Sequence, residues 1–250
     1  MNENTYIEAM KSIEISPETK RRILTDSIKL TQNKERHIIM SKKKFGLIAI
    51  AATMILGITA FAASGAISSW FSSSSDKPDF NTLPTAAQSI KDVGYAPILI
   101  ERFDNGYVFD NGIVINNEFK DEDNHSVEQF KSFNFTYAKD GDAVIFAQRK
   151  YTSEIPPSGT LISSENGNDI YFSAYTNKIV PVDYELTEED KKAEENGELV
   201  FSYGSDEVSI SEVMGVSWNT EDMYFQLLQI DGNLSAGDLV EMANYIIAQN

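Results

Sequence analysis

The residue types that most often carry out chemistry are scarce in this chain. Cysteine is absent, which excludes a disulfide framework, a thiol nucleophile and a zinc site built on cysteine. Histidine occurs only at His37 and His125, and neither a Gly-x-Ser-x-Gly elbow, a phosphate-binding glycine loop nor a His-Glu-x-x-His pattern is present. We therefore expect no catalytic residue, no cofactor and no metal site, and we expect a protein that is not an enzyme.

Acidic residues are abundant, and one run of them has the composition of a calcium loop. Residues 121–125 read Asp-Glu-Asp-Asn-His, yet they lack the ligand order and the glycine of a dedicated calcium site. We interpret the run as a solvated hairpin tip. Paired carboxylates for sugar chemistry stay open, because 32 acids follow residue 44 and many pairs will lie close together by chance.

The charge of the chain is unevenly distributed, and this divides it into unlike parts. Residues 1–44 carry ten Lys or Arg and six Asp or Glu, a net charge of +4, whereas the remainder carries −21. An acidic surface repels a polyanion, so we expect no nucleic acid as partner of the larger part.

A run of 31 residues without any charge, 45–75, separates the two parts. Its first 23 residues, 45–67, are mostly apolar, and a helix of that length reaches about 35 Å, enough to cross a bilayer. Lys42, Lys43 and Lys44 precede this transmembrane helix and Trp70 follows it, so the positive-inside rule places the N-terminus in the cytoplasm and Trp70 at the outer interface.

A cleaved signal peptide is the competing interpretation of the same apolar run. Residues 60–62 read Ala-Phe-Ala, the small-residue pattern of a cleavage site. However, 44 residues precede the run, and a signal peptide normally begins within a few residues of it. The anchor is therefore the better interpretation, with the membrane lipid as one partner and the cell membrane as the location.

The N-terminal 44 residues form a basic arm with two amphipathic helical patterns. Ser16, Pro17 and Glu18 have the types expected at the start of the second helix. An arm this short rarely builds its own core, so we expect its apolar stripes to pack against a binding partner. They would dock a cytoplasmic protein by helix-in-groove recognition or lie on the anionic inner leaflet. The candidate partner-binding residues are Ile7, Met10, Ile13, Ile23, Leu24 and Ile28.

Beyond the membrane segment, a serine-rich tether over residues 68–78 leads into one domain, 79–250. A first helix is capped by Thr85 and closed by Gly94. The Asn-Gly and Asp-Gly pairs at 111–112, 140–141 and 166–167 predict tight hairpins, and hence a mostly antiparallel sheet with sequential pairing. Strands are predicted over residues 98–103, 107–110, 113–116, 130–138, 143–151, 170–175, 199–203, 213–218 and 223–230.

Two further helices complete an α+β domain. Thr187 caps a polar helix over residues 188–196, whose acids we interpret as a solvated face. Ser235 caps the last helix, with Asp238 at the third position of a capping box. The apolar face of this C-terminal helix should cover the sheet.

Short motifs at both ends of the outer domain resemble a family of extracytoplasmic domains of unknown function. Members occur in membrane-anchored proteins of Gram-positive bacteria behind a short basic arm and one membrane helix, and some are described as anti-sigma-factor-like. Zinc-type anti-sigma domains carry a His and two Cys, and this arm has no Cys, so any sigma-factor contact would be metal-free. The motifs are Val93-Gly94-Tyr95-Ala96-Pro97, Asn105-Gly106-Tyr107, Val216-Ser217-Trp218, Met223-Tyr224-Phe225-Gln226-Leu227, Leu234-Ser235 and Met242-Ala243.

Together these features predict a single-pass membrane protein with an extracytoplasmic binding or sensing domain. The cytoplasmic arm would dock a regulator such as a sigma factor, as the resemblance implies. A cell-envelope hydrolase or a structural envelope protein is the alternative.

Overall fold

The computed structural model describes residues 67, 69–75, 77–121, 123, 125–152, 156–157, 159–165, 167–181, 183–196, 199–203 and 205–249. The predicted arm, the membrane segment up to residue 66 and the candidate cleavage site at residues 60–62 lie outside this part of the chain. Within the described part, the structure contains no helix with the length and apolar character needed to span a bilayer.

Three helices form where the capping residues predict them. Thr85, Thr187 and Ser235 are the N-caps, and each forms a capping box with the residue three positions later. Gly94 ends the first helix with a left-handed φ of 84°. The helices are α1 Ala86–Val93, α2 Glu188–Glu195 and α3 Ala236–Ile247.

Nine strands of the described residues form one curled, mostly antiparallel sheet, which confirms the α+β class. The strand order is β1-β2-β3-β4-β9-β8-β6-β5, and β7 runs parallel to β6 beside β5. The strands are β1 Ser69–Ser73, β2 Val108–Lys120, β3 Ser126–Lys139, β4 Asp142–Lys150, β5 Thr160–Glu165, β6 Asn168–Val180, β7 Leu199–Tyr203, β8 Ser209–Asn219 and β9 Met223–Ile230.

Two of the three predicted hairpins are confirmed. Asp140 and Gly141 have φ values of 50° and 86° between β3 and β4, and Gly167 has a φ of 81° between β5 and β6. Sequential pairing fails at the centre of the sheet, where β4 pairs with β9. Residues 151–222 lie between these two neighbouring strands in the sequence. The pairing is therefore non-local, and no turn signal in the sequence predicts it.

The hairpin predicted at Asn111 and Gly112 is wrong, because both residues lie inside the continuous strand β2. Gly112 serves close packing there. A Cβ atom at this position would lie 2.8 Å from Cδ1 of Phe135, and the Gly112 backbone also exchanges two hydrogen bonds with Phe80. A glycine within a strand often marks such a close approach.

The strand predicted over residues 98–103 is also wrong, since only Arg102 forms an isolated bridge, to Val108. The segment instead lies across the sheet, and side chains satisfy its backbone. Gln148 bonds both backbone groups of Ile98, and the Tyr137 hydroxyl donates to the Ile100 carbonyl at 2.9 Å. Strand β5 was not predicted.

The predicted tether over residues 68–78 contains an edge strand, β1, paired with β2. Trp70, expected at the outer membrane interface, packs edge-to-face on Phe119 with ring centres 5.3 Å apart. Ile67, expected as the last residue of the membrane helix, is only 4 % exposed and belongs to the same small apolar cluster. Burial of these side chains explains why the serine-rich segment is ordered as a strand.

The main core lies on one face of the sheet, which we call the helical face. Phe133, Phe135 and Tyr137 alternate along β3 and are fully buried on this face, as their spacing predicts. Helix α1 contributes Val93 to the packing, and α3 contributes four buried side chains, so the C-terminal helix does pack on the sheet. The α3 residues are Leu239, Met242, Ala243 and Ile246.

Candidate functional site

The predicted partner-binding residues all belong to the arm and lie outside the described residues. Their role therefore stays a prediction. They are Ile7, Met10, Ile13, Ile23, Leu24 and Ile28.

The described domain holds a buried cation on the face opposite the helices, which we call the far face. Arg149 is only 4 % exposed. Its neighbour Gln148 points to the helical face, so strand alternation directs Arg149 and its cross-strand partner Tyr224 to the far face. The guanidinium carbon of Arg149 lies 3.9 Å from the ring centre of Tyr224 and 5.7 Å from that of Trp70.

The contact between Arg149 and Trp70 spans several strands. Strands β1 and β4 are three positions apart in the sheet, a separation of about 14 Å if the sheet were flat. The curl of the sheet and the length of both side chains close this gap. The cluster thus ties the edge of the sheet to its centre.

Electrostatics in this cluster favour a fixed charge beside a neutral phenol. Burial lowers the pKa of Arg149, but guanidinium groups start so high that the charge is kept near neutral pH. Burial also raises the pKa of Tyr224, against the opposing effects of Arg149 and of a hydrogen bond with Ser217. The guanidinium of Arg149 offers only N–H donors and Tyr224 keeps its proton, so the pair suits structural positioning through charge and ring contacts.

Sequence reasoning missed Arg149, although a signal exists. In the strand predicted over residues 143–151, side chains alternate between the two faces, and Arg149 shares a face with Ile145 and Ala147. An arginine in register with aliphatic residues indicates either a solvated face or a buried cation. The 4 % exposure of Arg149 itself decides for the buried cation.

A partly buried ion pair joins α2 to the sheet. It corrects the interpretation of the acids of that helix as a solvated face for Asp190, whereas Glu188 and Glu189 are exposed as predicted. Lys178 Nζ donates to Asp190 Oδ1 at 2.8 Å and to the Tyr184 hydroxyl at 2.7 Å. The Tyr184 hydroxyl in turn donates to Asp190 Oδ2 at 2.9 Å, and the Thr187 N–H donates to the same oxygen at 3.0 Å. Asp190 faces the sheet because it closes the capping box of its own helix.

The pKa of Asp190 follows from these bonds. Burial alone would raise it, but the hydrogen bonds from Lys178, Thr187 and Tyr184 outweigh burial and lower the pKa to about 2. The same contacts raise the pKa of Lys178 against the effect of its desolvation. Both groups stay charged across the physiological range, and neither exchanges a proton readily enough there for acid–base catalysis.

A second structural carboxylate, Asp142, joins the β3–β4 turn to the start of α3. Its Oδ2 accepts from the Tyr107 hydroxyl at 2.8 Å and from the Asn233 N–H at 3.0 Å, while Oδ1 accepts from the Ala143 N–H at 2.8 Å. These hydrogen bonds, Asn233 foremost, lower the pKa of Asp142 although partial burial opposes them. Tyr107 has a raised pKa, first from burial and then from Asp142.

The described residues of the acidic run, Asp121, Asp123 and His125, lie between β2 and β3, which agrees with a hairpin tip. Asp121 Oδ1 accepts from the His125 N–H at 2.8 Å and from the Asp123 N–H at 3.0 Å. The His125 N–H contributes most to lowering the pKa of Asp121. In the described part of the chain, no three His, Cys, Asp or Glu side chains are grouped as a metal site.

Comparison of the chain with protein-family models, with curated proteins and with solved structures finds no match. The functional argument therefore depends on the charge pattern of the sequence and on the geometry of the described domain.

Proposed function

We propose that this chain is a single-pass membrane protein with a cytoplasmic N-terminus and an outer domain that binds or senses. The arm docks a cytoplasmic regulator, with a sigma factor as the type of partner that the sequence resemblance favours.

The uncharged run between two oppositely charged parts carries this proposal. The arm has a net charge of +4 and ends in Lys42, Lys43 and Lys44, whereas the remainder of the chain has −21. The described domain begins inside the last third of this run, because Ile67 and β1 already belong to the domain. Excluding Ile67 leaves residues 45–66, or 22 residues, which still satisfies the length of about 20 that a spanning helix needs.

The structural roles of two carboxylates, Asp190 and Asp142, favour a binding domain over a hydrolase. Asp190 is held by Lys178, Tyr184 and its own helix start, and Asp142 joins a turn to α3. A glycoside hydrolase needs one carboxyl group with a raised pKa as its acid, and the pKa values of both these groups are lowered.

Orientation is tested by protease treatment of intact protoplasts that express the chain with an N-terminal tag. The proposal expects digestion of the outer domain, followed through an antibody to residues 236–249, and protection of the tag. Digestion of the tag with protection of the domain contradicts the orientation. A soluble mature form beginning near Ala63 would support the signal-peptide alternative.

Docking by the arm is tested by crosslinking the full chain in membranes and purifying it. The native chain is expected to bring down a sigma factor or a comparable regulator, and Ile23→Asp or Leu24→Asp is expected to abolish capture. Loss of a buried Ile or Leu contact costs about 2 to 5 kcal/mol, enough to release a micromolar partner. Thr25→Asp adds the same charge off the apolar stripe and is the matched control. Equal capture by all four chains contradicts docking through the stripes.

A further inference from the structure

The segment that joins the membrane run to the sheet consists of Ile67 and strand β1, Ser69–Ser73, and we call it the strap. Ile67 is buried against Phe119, and a single residue separates it from β1. The membrane run, residues 45–66, ends at the residue directly before Ile67, one Cα–Cα step of about 3.8 Å away, so the end of the run moves with the strap while the strap is docked.

Trp70 anchors the strap to the far face, beside the buried Ile67. Trp70 packs edge-to-face on Phe119, lies 6.1 Å from the ring centre of Phe130 and covers the guanidinium of Arg149. Its Nε1 donates to Asn117 Oδ1 at 2.9 Å. Strand β1 thus has an aromatic anchor at its second position, and the next residue, Phe71, has Lys120 Nζ 4.9 Å from its ring centre.

The buried amide of Asn117 joins three strands at this point. Oδ1 accepts from Trp70 Nε1 and from the Ser72 hydroxyl at 2.8 Å, both on β1. Nδ2 donates to the Ser132 hydroxyl on β3 at 2.9 Å and to the Ile115 carbonyl at 3.2 Å. Asn117 therefore fixes the register of the strap and would lose two partners if the strap left.

The remainder of the strap is weakly held. Three of the five β1 residues are serine, and β1 stands at the end of the strand order, paired with β2 alone. Short edge strands with little apolar burial open at lower free energy than the core. Phe133, Phe135 and Tyr137 of β3, fully buried between two paired strands, represent that core.

We propose that the strap is a releasable joint. Docked on β2, it holds the outer domain in a fixed relation to the membrane segment, and its release uncouples the two. This inference rests on the proposed membrane topology and deepens it, because it names the step by which the outer domain influences the arm. An outer ligand shifts this equilibrium only if it binds the docked and released states with different affinities.

The chain offers a clean lock for the strap. Ser73 and Asn116 are directly opposite each other in the β1–β2 ladder, and both are exposed. The chain has no cysteine, so the double variant Ser73→Cys with Asn116→Cys has a single pair of thiols. Oxidation locks the strap, and reduction of the same molecule is the matched control.

Hydrogen exchange of the full chain in phosphatidylglycerol vesicles tests release. In the native chain, residues 69–73 are expected to exchange about tenfold or more faster than residues 133–137, because edge opening needs no global unfolding. Trp70→Ala should increase the strap rate by about a further tenfold with residues 133–137 unchanged, Trp70→Phe should increase it less, and the oxidised lock should slow it. Equal exchange of both segments in the native chain, or a parallel rise in both for Trp70→Ala and Trp70→Phe, overturns the proposal.

Capture of the cytoplasmic partner separates this inference from the proposed function. The oxidised and reduced forms of the lock variant are compared in the same membranes. If the strap is a releasable joint, the two forms should capture different amounts of the regulator. Equal capture in both states overturns the regulatory role of the strap and leaves the proposed function standing. If the native chain captures no regulator, the proposed function fails, whereas the exchange rates still decide whether the strap opens.

Discussion

The side-chain amide of Gln148 pairs with both backbone groups of Ile98. Nε2 donates to the Ile98 carbonyl at 2.9 Å, and the Ile98 N–H donates to Oε1 at 2.8 Å. Gln148 is fully buried, and its backbone carbonyl accepts a hydrogen bond from the Tyr95 hydroxyl at 2.6 Å. A side chain of β4 thus replaces the strand partner that the segment after α1 lacks, which places that segment over the helical face.

Replacing Gln148 by Leu should therefore destabilise the domain. The change keeps the approximate volume but leaves the backbone N–H and carbonyl of Ile98 unpaired in a mostly buried setting, at a cost of about 1 to 3 kcal/mol for each unsatisfied group. Denaturant unfolding of the full chain in micelles, followed by tryptophan fluorescence, measures the loss. Both tryptophans of the chain, Trp70 and Trp218, lie in the described domain.

The matched control for this change is Gln129→Leu on β3, an exposed position. It should shift the free energy of unfolding by no more than about 0.5 kcal/mol. Equal effects of the two substitutions would contradict a special role for the Gln148 amide.

Gln229 repeats the arrangement on β9, and the pair shows where sequence reasoning stops. Its Oε1 accepts from the Leu234 N–H at 2.9 Å, and Nε2 donates to the Leu234 carbonyl. The helix starts were predictable because a capping box acts over three residues. The contact between Gln148 and Ile98 joins residues 50 positions apart, so it depends on strand pairing that local patterns do not encode.

Gly112→Ala should test the reason for the failed hairpin prediction. The added Cβ would lie 2.8 Å from Cδ1 of Phe135, and overpacking of this kind costs about 1 to 3 kcal/mol. Phe135→Leu should remove part of that penalty, giving a coupling energy of about 0.5 kcal/mol or more in a double-mutant cycle of unfolding free energies. Additive effects would show that Phe135 does not set the requirement for glycine.

The cluster around the buried Arg149 was less predictable from the sequence than the fold, for a physical reason. The position of Arg149 on the far face follows from alternation, but its burial depends on Trp70, which reaches it from three strands away. The serine-rich composition around Trp70 predicted a tether, since local composition carries no information about the pocket formed by Phe119 and Phe130.

Arg149→Lys should destabilise the domain although the charge is kept. A lysine loses the planar contact with Tyr224 and concentrates the charge on a strongly hydrated ammonium in a buried setting. We expect a loss of about 1 to 2 kcal/mol in unfolding free energy. Lys131→Arg on β3, an exposed position, is the control and should have little effect. A stability equal to that of the native chain would contradict the importance of the planar contact.

The ion pair between Asp190 and Lys178 should make the domain sensitive to acid. The pKa of Asp190 is about 2 in the folded chain against an ordinary value of 3.8. The folded pKa is the lower one, so the stabilisation is complete above pH 3.8 and is lost as the pH falls through about 2. The difference between the two pKa values corresponds to about 2 kcal/mol.

Asp190→Asn isolates this effect, because it removes the titrating group with little change in shape. The native chain should lose unfolding free energy between pH 4 and about 2 more steeply than the variant, in fluorescence-monitored unfolding at matched ionic strength. Glu189→Gln on the exposed side of α2 is the control and should retain the native slope. At pH 7 the variant should be the less stable chain, because it leaves the partly buried Lys178 without its carboxylate. Identical pH profiles for the native chain and Asp190→Asn would show that the ion pair does not form in solution.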